Sequence, residues 1–148
     1  MRRREPGRAQ RMARIRAAAG LAVLATVLTG SIASAAEEIS LERYRWISRI
    51  LVIWAPGADD PSARAQREIA SAARLGMTER DLVIVEAYGQ DAASTALRRK
   101  LGVPATAFRA LLIGKDGDAK FVSAKPIPAA ILFSTIDAMP MRRDEMRR

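Results

Sequence analysis

Neither cysteine nor histidine occurs anywhere in the 148 residues. The first absence removes disulfides, thiolate nucleophiles and thiolate metal ligands. The second removes the commonest general base and the commonest metal-binding side chain. The chain also lacks a nucleophile elbow, a glycine loop of the kind that cradles phosphate, and any internal repeat. Carboxylates can act without histidine, so Asp59 with Asp60 remains an acid pair to weigh. Adjacent residues seldom aim both carboxylates at a single bond.

What is present begins with an N-terminal segment in three parts. Seven arginines between Arg2 and Arg16 precede an apolar run from Ala17 to Ile32, and the small triplet Ala33-Ser34-Ala35 follows. This is the pattern of a secretory signal cleaved after Ala35, which makes residues 1–35 a leader and 36–148 the mature chain. The rival reading is an inner-membrane anchor, but the 16-residue run is diluted by Gly20, Thr26, Thr29, Gly30 and Ser31, and a spanning helix wants roughly 20 strongly apolar residues. Glu5, Pro6 and Gly7 after the first arginines favour general secretion over twin-arginine export. The protein is therefore expected in the periplasm or outside the cell.

The leader's seven arginines and one glutamate supply six of the nine positive charges, leaving three for residues 36–148. A pI of 11.1 is thus no sign of nucleic-acid binding. The remaining 113 residues suit a single domain that packing alone must stabilise, although export would permit disulfides.

Residues 37–49 read as a lead-in with one turn of helix. Ile50 to Ala55 is a continuous apolar run, as expected of a strand covered on both faces, and Pro56-Gly57 ends it. Asp60-Pro61 reads as a helix cap followed by proline in the first turn, with Gly76 as the closing cap. Leu82 to Val85 is a second strand. Asp91 caps a helix in which Ala93, Leu97 and Leu101 recur at four-residue intervals, and Gly102 closes it. Ala110 to Gly114 and Ala119 to Ser123 flank Lys115-Asp116-Gly117-Asp118, a strong hairpin signal. A last helix follows Pro126 and Pro128, buries Ile131, Leu132, Ile136 and Met139, and stops at Pro140.

The order βαβαββα requires parallel pairing early, through crossovers, and antiparallel pairing late, through the hairpin. The expected fold is α/β: a mixed four-stranded sheet flanked by helices, thioredoxin-like in layout.

The residues also resemble a family, the exported thioredoxin-like domain numbered 4174 among domains of unknown function. The resemblance runs through Leu41, Tyr44, Arg45 and Trp46; Ala55-Pro56; Asp59-Asp60-Pro61 and Gln66; and Glu79-Arg80-Asp81-Leu82. It continues in Leu112 to Gly117 with Lys120, and is most specific from Ile136 to Arg143, with Glu145 and Met146. It implies a layout similar to that of peroxiredoxins and thioredoxins, and no set activity. The chain departs from thioredoxin where the two-cysteine motif would fall, at Ala55-Pro56-Gly57-Ala58-Asp59-Asp60, and Pro104 stands well before the third strand.

Candidate sites follow from position and residue type. The loop from Pro56 to Pro61 lies where thioredoxin-like proteins work, at a helix start with free amide donors. Asp59 and Asp60 would compete for those donors, and the plainer account is a helix cap at Asp60 with Asp59 solvated. Tyr44, Arg45 and Trp46 offer aromatics beside a cation, for recognition or simply for packing over the first strand. Met139, Met141 and Met146 offer thioether ligands for Cu(I), and adaptable packing explains them more simply. Arg142 and Arg143 in a basic C-terminal tail could dock an acidic partner or remain solvated.

The combined expectation is a non-catalytic binding module without cofactor, using the Pro56–Pro61 loop together with the Tyr44–Trp46 rim. Its partner would be another envelope protein, a peptide or a small ligand. Nucleic acid is excluded, and membrane contact would come only through an uncleaved leader. The alternatives are a redox accessory that borrows a partner's thiol and a methionine-based Cu(I) carrier.

Overall fold

A computed structural model describes residues 38–148, so the leader expected at 1–35 lies outside the described residues. The sheet is built on β1, Arg49–Ala55, which is buried at all seven positions. Its neighbours are β2, Leu82–Tyr88, paired parallel, and β3, Arg109–Ile113, paired antiparallel. The antiparallel partner of β3 is β4, Ala119–Ser123, which gives the order β2-β1-β3-β4. The mixed four-stranded sheet expected from the sequence is present.

Because side chains alternate along a strand, β1 supplies two cores. Leu51, Ile53 and Ala55, with Ala110 and Leu112 of β3, pack against α1 (Pro61–Ala72), α2 (Arg74–Glu79) and α4 (Ala129–Asp137). Ile50, Val52 and Trp54, with Leu111 and Ile113, pack against α3 (Ala92–Lys100) and the 3₁₀ turn at Glu42–Tyr44. The Trp54 indole is buried and donates from Nε1 to the Pro104 carbonyl at 3.0 Å.

Local chemistry accounts for most of the boundaries. The Asp60 carboxylate accepts from the Ser62 and Ala63 amides, and Asp91 accepts from that of Ser94, each satisfying orphan donors at a helix start. Gly102 takes a φ of +65° beyond α3, and Gly117 takes +90° in the hairpin turn.

Three expectations are corrected. Gly76 does not cap α1; it sits within α2, where the ring of Phe133 occupies the space a side chain would need. Ile131 is exposed, because α4 turns Leu132 and Ile136 to the sheet instead. Pro140 does not end the chain's helical structure. A proline needs no N–H donor in a first turn, and here it opens α5, Pro140–Met146. The basic tail expected from Arg142 onward is therefore largely a helix. Among the described residues no helix is long and apolar enough to cross a membrane.

Candidate functional site

The two surfaces expected to act together lie at opposite ends of β1. The Tyr44–Trp46 rim precedes the strand and the Pro56–Asp60 loop follows it. Seven residues at about 3.3 Å each put roughly 20 Å between them. A single recognition surface built from both is thus corrected by the strand's length.

At the exit of β1, Asp60 is committed to capping α1, at 2.9 Å from the Ser62 amide and 3.1 Å from that of Ala63, while Asp59 and Pro56 are exposed. Arg67 of α1 spans the loop and the sheet. Its Nη2 donates to the Ala58 carbonyl at 2.9 Å and its Nη1 to the Tyr88 hydroxyl at 2.6 Å. Tyr88 in turn donates to Glu86. Burial, followed by the Glu86 acceptor, pushes the Tyr88 phenol up to about 12, against the opposing pull of Arg67. The donors at this helix start are held within the fold, leaving little for an anion.

The other end is built differently. Trp46 has a φ of +64°, the left-handed region that bulky side chains avoid. Its amide donates to the Lys115 carbonyl at 2.6 Å, which pins this conformation, and its side chain remains 62% exposed with the Arg45 guanidinium 5.7 Å from the ring centre. Trp46 stands over a cavity of about 350 Å³ whose walls include Met139, Pro140 and Met141, together with Arg49, Lys115 and Lys120. Tyr44 is half-buried against the second core, under the guanidinium of Arg43. Packing accounts for Tyr44 but not for Trp46.

Behind this cavity lies a charge network that sequence reasoning missed. Arg49, only 1% exposed, presents both terminal nitrogens to Glu145 at 3.2 Å and donates to the Arg80 carbonyl at 2.9 Å. Lys115 bridges Glu145 at 2.7 Å and Asp81 at 2.8 Å. Arg80 grips Asp137 through two bonds, at 2.9 and 2.8 Å. Burial alone would raise the Glu145 carboxyl, but bonds from Lys115 and Arg49 outweigh it and hold the group below the usual range. The Arg80 bond, opposed by burial and helped by Arg142, does the same for Asp137. A signal available beforehand was an arginine placed directly against a fully apolar strand.

The docking role considered for Arg142 is corrected by its burial. It is 7% exposed and reaches the Glu79 carbonyl, the Glu79 carboxylate and Asp137 at 3.1, 2.9 and 3.3 Å, so its charge is spent on attaching α5. Arg143 is exposed. Of the three methionines, Met139 and Met141 line the cavity beside three cations, and Met146 is exposed at the end of α5. Among the described residues no cluster of three or more carboxylate side chains could hold a metal ion.

The sequence model of the family described as "Domain of unknown function (DUF4174)" matches residues 40–145. The chain belongs to that family. Several of the stretches that carry the resemblance, far apart in sequence, meet at this one end of the sheet: Trp46, Glu79-Arg80-Asp81, Lys115 and the segment from Ile136 to Glu145. The fold is similar to that of a solved Plasmodium vivax 2-Cys peroxiredoxin in its reduced form, with a TM-score of 0.56 and 11% identity over 72% of this chain and 84% of that one. The likeness places this member of the family among thioredoxin-like folds. The peroxiredoxin's cysteine chemistry has no counterpart here, since the chain contains no cysteine.

Proposed function

We propose that the protein is exported and acts as a non-catalytic binding module, recognising an envelope protein or peptide through Trp46 and the cavity beneath it. One observation carries this reading. A large aromatic ring is held exposed in a backbone conformation that costs energy, over an apolar recess. Folding alone gains little from that arrangement, whereas a partner's side chain would gain a wall of Trp46, Met139, Pro140 and Met141. The arginine-rich leader supports the export half of the proposal. The missing thiols and imidazoles support the non-catalytic half.

The test is affinity capture from an envelope extract with the purified protein. Capture is expected to be lost in Trp46→Ala and retained in Asp59→Ala, because the two sites lie at opposite ends of β1. Identical capture by wild type and Trp46→Ala would sink the assignment. Unaided turnover of hydroperoxide or dithiol by the purified protein would favour a redox role instead.

A further inference from the structure

Glu145 fills a seat that it does not itself build. Its Oε1 accepts from Arg49 Nη2 at 3.2 Å and from Lys115 Nζ at 2.7 Å, and its Oε2 accepts from Arg49 Nη1 at 3.2 Å. A guanidinium fork beside an ammonium is a standard receptor for a carboxylate. The sheet fixes both cations: Arg49 opens the central strand, and Lys115 follows β3 in the hairpin turn. The carboxylate, by contrast, arrives on a helix whose sole buried residue is Arg142. The seat is therefore built on the sheet, while its occupant sits on a helix held largely by polar contacts.

A second observation points the same way. Arg49 Nε is buried without a hydrogen-bond partner, the only such side-chain atom among the described residues. The guanidinium thus keeps a donor that the fold leaves unused. Arg49 and Lys115 also line the cavity beneath Trp46, so carboxylate seat and apolar recess are contiguous. Asp81 on Lys115 and Asp116 on Lys120 would repel a doubly charged phosphate, which favours a singly charged carboxylate.

We infer that Arg49 and Lys115 form a carboxylate-binding seat which Glu145 keeps filled from within, and that the seat receives an acidic side chain of a partner peptide whose neighbouring apolar side chain enters the recess under Trp46. The apolar half rests on the reading of that recess as the recognition surface. Glu145 is then an internal competitor, and removing it exposes the seat.

Two probes test this on the full chain, sodium acetate and the dipeptide N-acetyl-leucyl-glutamic acid amide. In Glu145→Ala, acetate is expected to raise the thermal midpoint saturably, while sodium chloride at equal ionic strength does not. The dipeptide is expected to bind Glu145→Ala at least tenfold more tightly than wild type, and adding Lys115→Met should abolish most of that gain. Should the alanine variant fold poorly, Glu145→Gln keeps the side-chain volume and should still bind the dipeptide more tightly than wild type. Equal action of acetate and chloride, or equal dipeptide affinity with and without the Glu145 carboxylate, overturns the seat. A Trp46→Ala, Glu145→Ala double variant separates the two halves. Unchanged dipeptide affinity there overturns the apolar half and the reading beneath it, while a saturable acetate response supports the seat independently.

Discussion

Gln66 of α1 pairs with the backbone of Ile127 as another strand would: its Nε2 donates to the Ile127 carbonyl at 3.2 Å, and its Oε1 accepts from the Ile127 amide at 2.6 Å. Gln66 is completely buried, so no water replaces these bonds if they are lost. They tie α1 to the segment leading into α4, two elements that cover the same face of the sheet. Gln66→Leu keeps the volume but strands a buried donor and a buried acceptor. It is expected to cost about 2 kcal/mol, read as a lower urea midpoint at unchanged slope. A loss below about 0.5 kcal/mol would mean that the segment holds its place without this pairing.

A second close approach fixes α2 against α4. A Cβ built on Gly76 would stand 2.6 Å from two ring atoms of Phe133, and the same ring carries the Arg80 guanidinium at 4.4 Å from its centre. Alanine is the better helix former by about 1 kcal/mol, but the overlap costs more than that when the ring is boxed in. Gly76→Ala is expected to destabilise the wild type by about 1 kcal/mol and to stabilise a Phe133→Ala background. The change of sign in this double-mutant cycle, measured by urea unfolding, is the deciding result. A destabilisation of equal size in both backgrounds would assign the effect to something other than the ring.

Elements that local chemistry determines were legible in the sequence. Asp60, Asp91 and the Asp116-Gly117 turn act through neighbours a few residues away, and the apolar runs at Ile50 and Ala110 show their strands directly. The strand order followed, because crossover and hairpin connections leave few topologies. What escaped notice depends on distant partners. Gly76 has the same composition cue whether it caps a helix or admits a ring from α4, and Pro140 suits a helix start as well as a stop. The candidate site divides in the same way. Trp46 was singled out for its type, yet its neighbours at the cavity, Lys115 and Met139 to Met141, come from stretches 69 and more residues further on. Arg49, Lys115 and Glu145 are far apart in sequence and meet only through tertiary packing, which also makes an arginine at the start of a strand a buried one.

The Tyr88 phenol gives a spectroscopic view of the opposite end of the sheet. Burial first, and the Glu86 acceptor second, raise it from 10.0 to about 12, and Arg67 opposes the rise. A phenol that holds its proton more tightly in the folded state adds stability that is complete below about pH 10 and is lost as the pH climbs through 12. Phenolate absorbance in a Tyr44→Phe variant, where Tyr88 is the remaining tyrosine, is expected to titrate near 12. Adding Glu86→Gln should bring the midpoint down, and adding Arg67→Met should move it up. Insensitivity to both substitutions would show that the three side chains do not form one hydrogen-bonded unit in solution.

Asp137 carries the corresponding acid-side behaviour at the charge network. Bonds from Arg80, opposed by burial and joined by one from Arg142, hold its carboxyl below the usual aspartate range. The folded protein therefore binds this proton less readily than the unfolded chain does, and the unfolded chain gains protons first as the pH falls. The stabilisation is complete above about pH 5 and drains away as the pH drops through the lowered folded value. Glu145, also held low by Lys115 and Arg49 against burial, adds to the same trend. Asp137→Asn is expected to cost about 1–2 kcal/mol at neutral pH, since the carboxylate is partly exposed and one amide oxygen still accepts. The gap between wild type and variant should close steadily below about pH 4, in urea midpoints measured across the acid range. A gap that stays constant down to about pH 2 would show that the Asp137 charge, as opposed to its shape, contributes nothing to holding α4 and α5 against the start of β2.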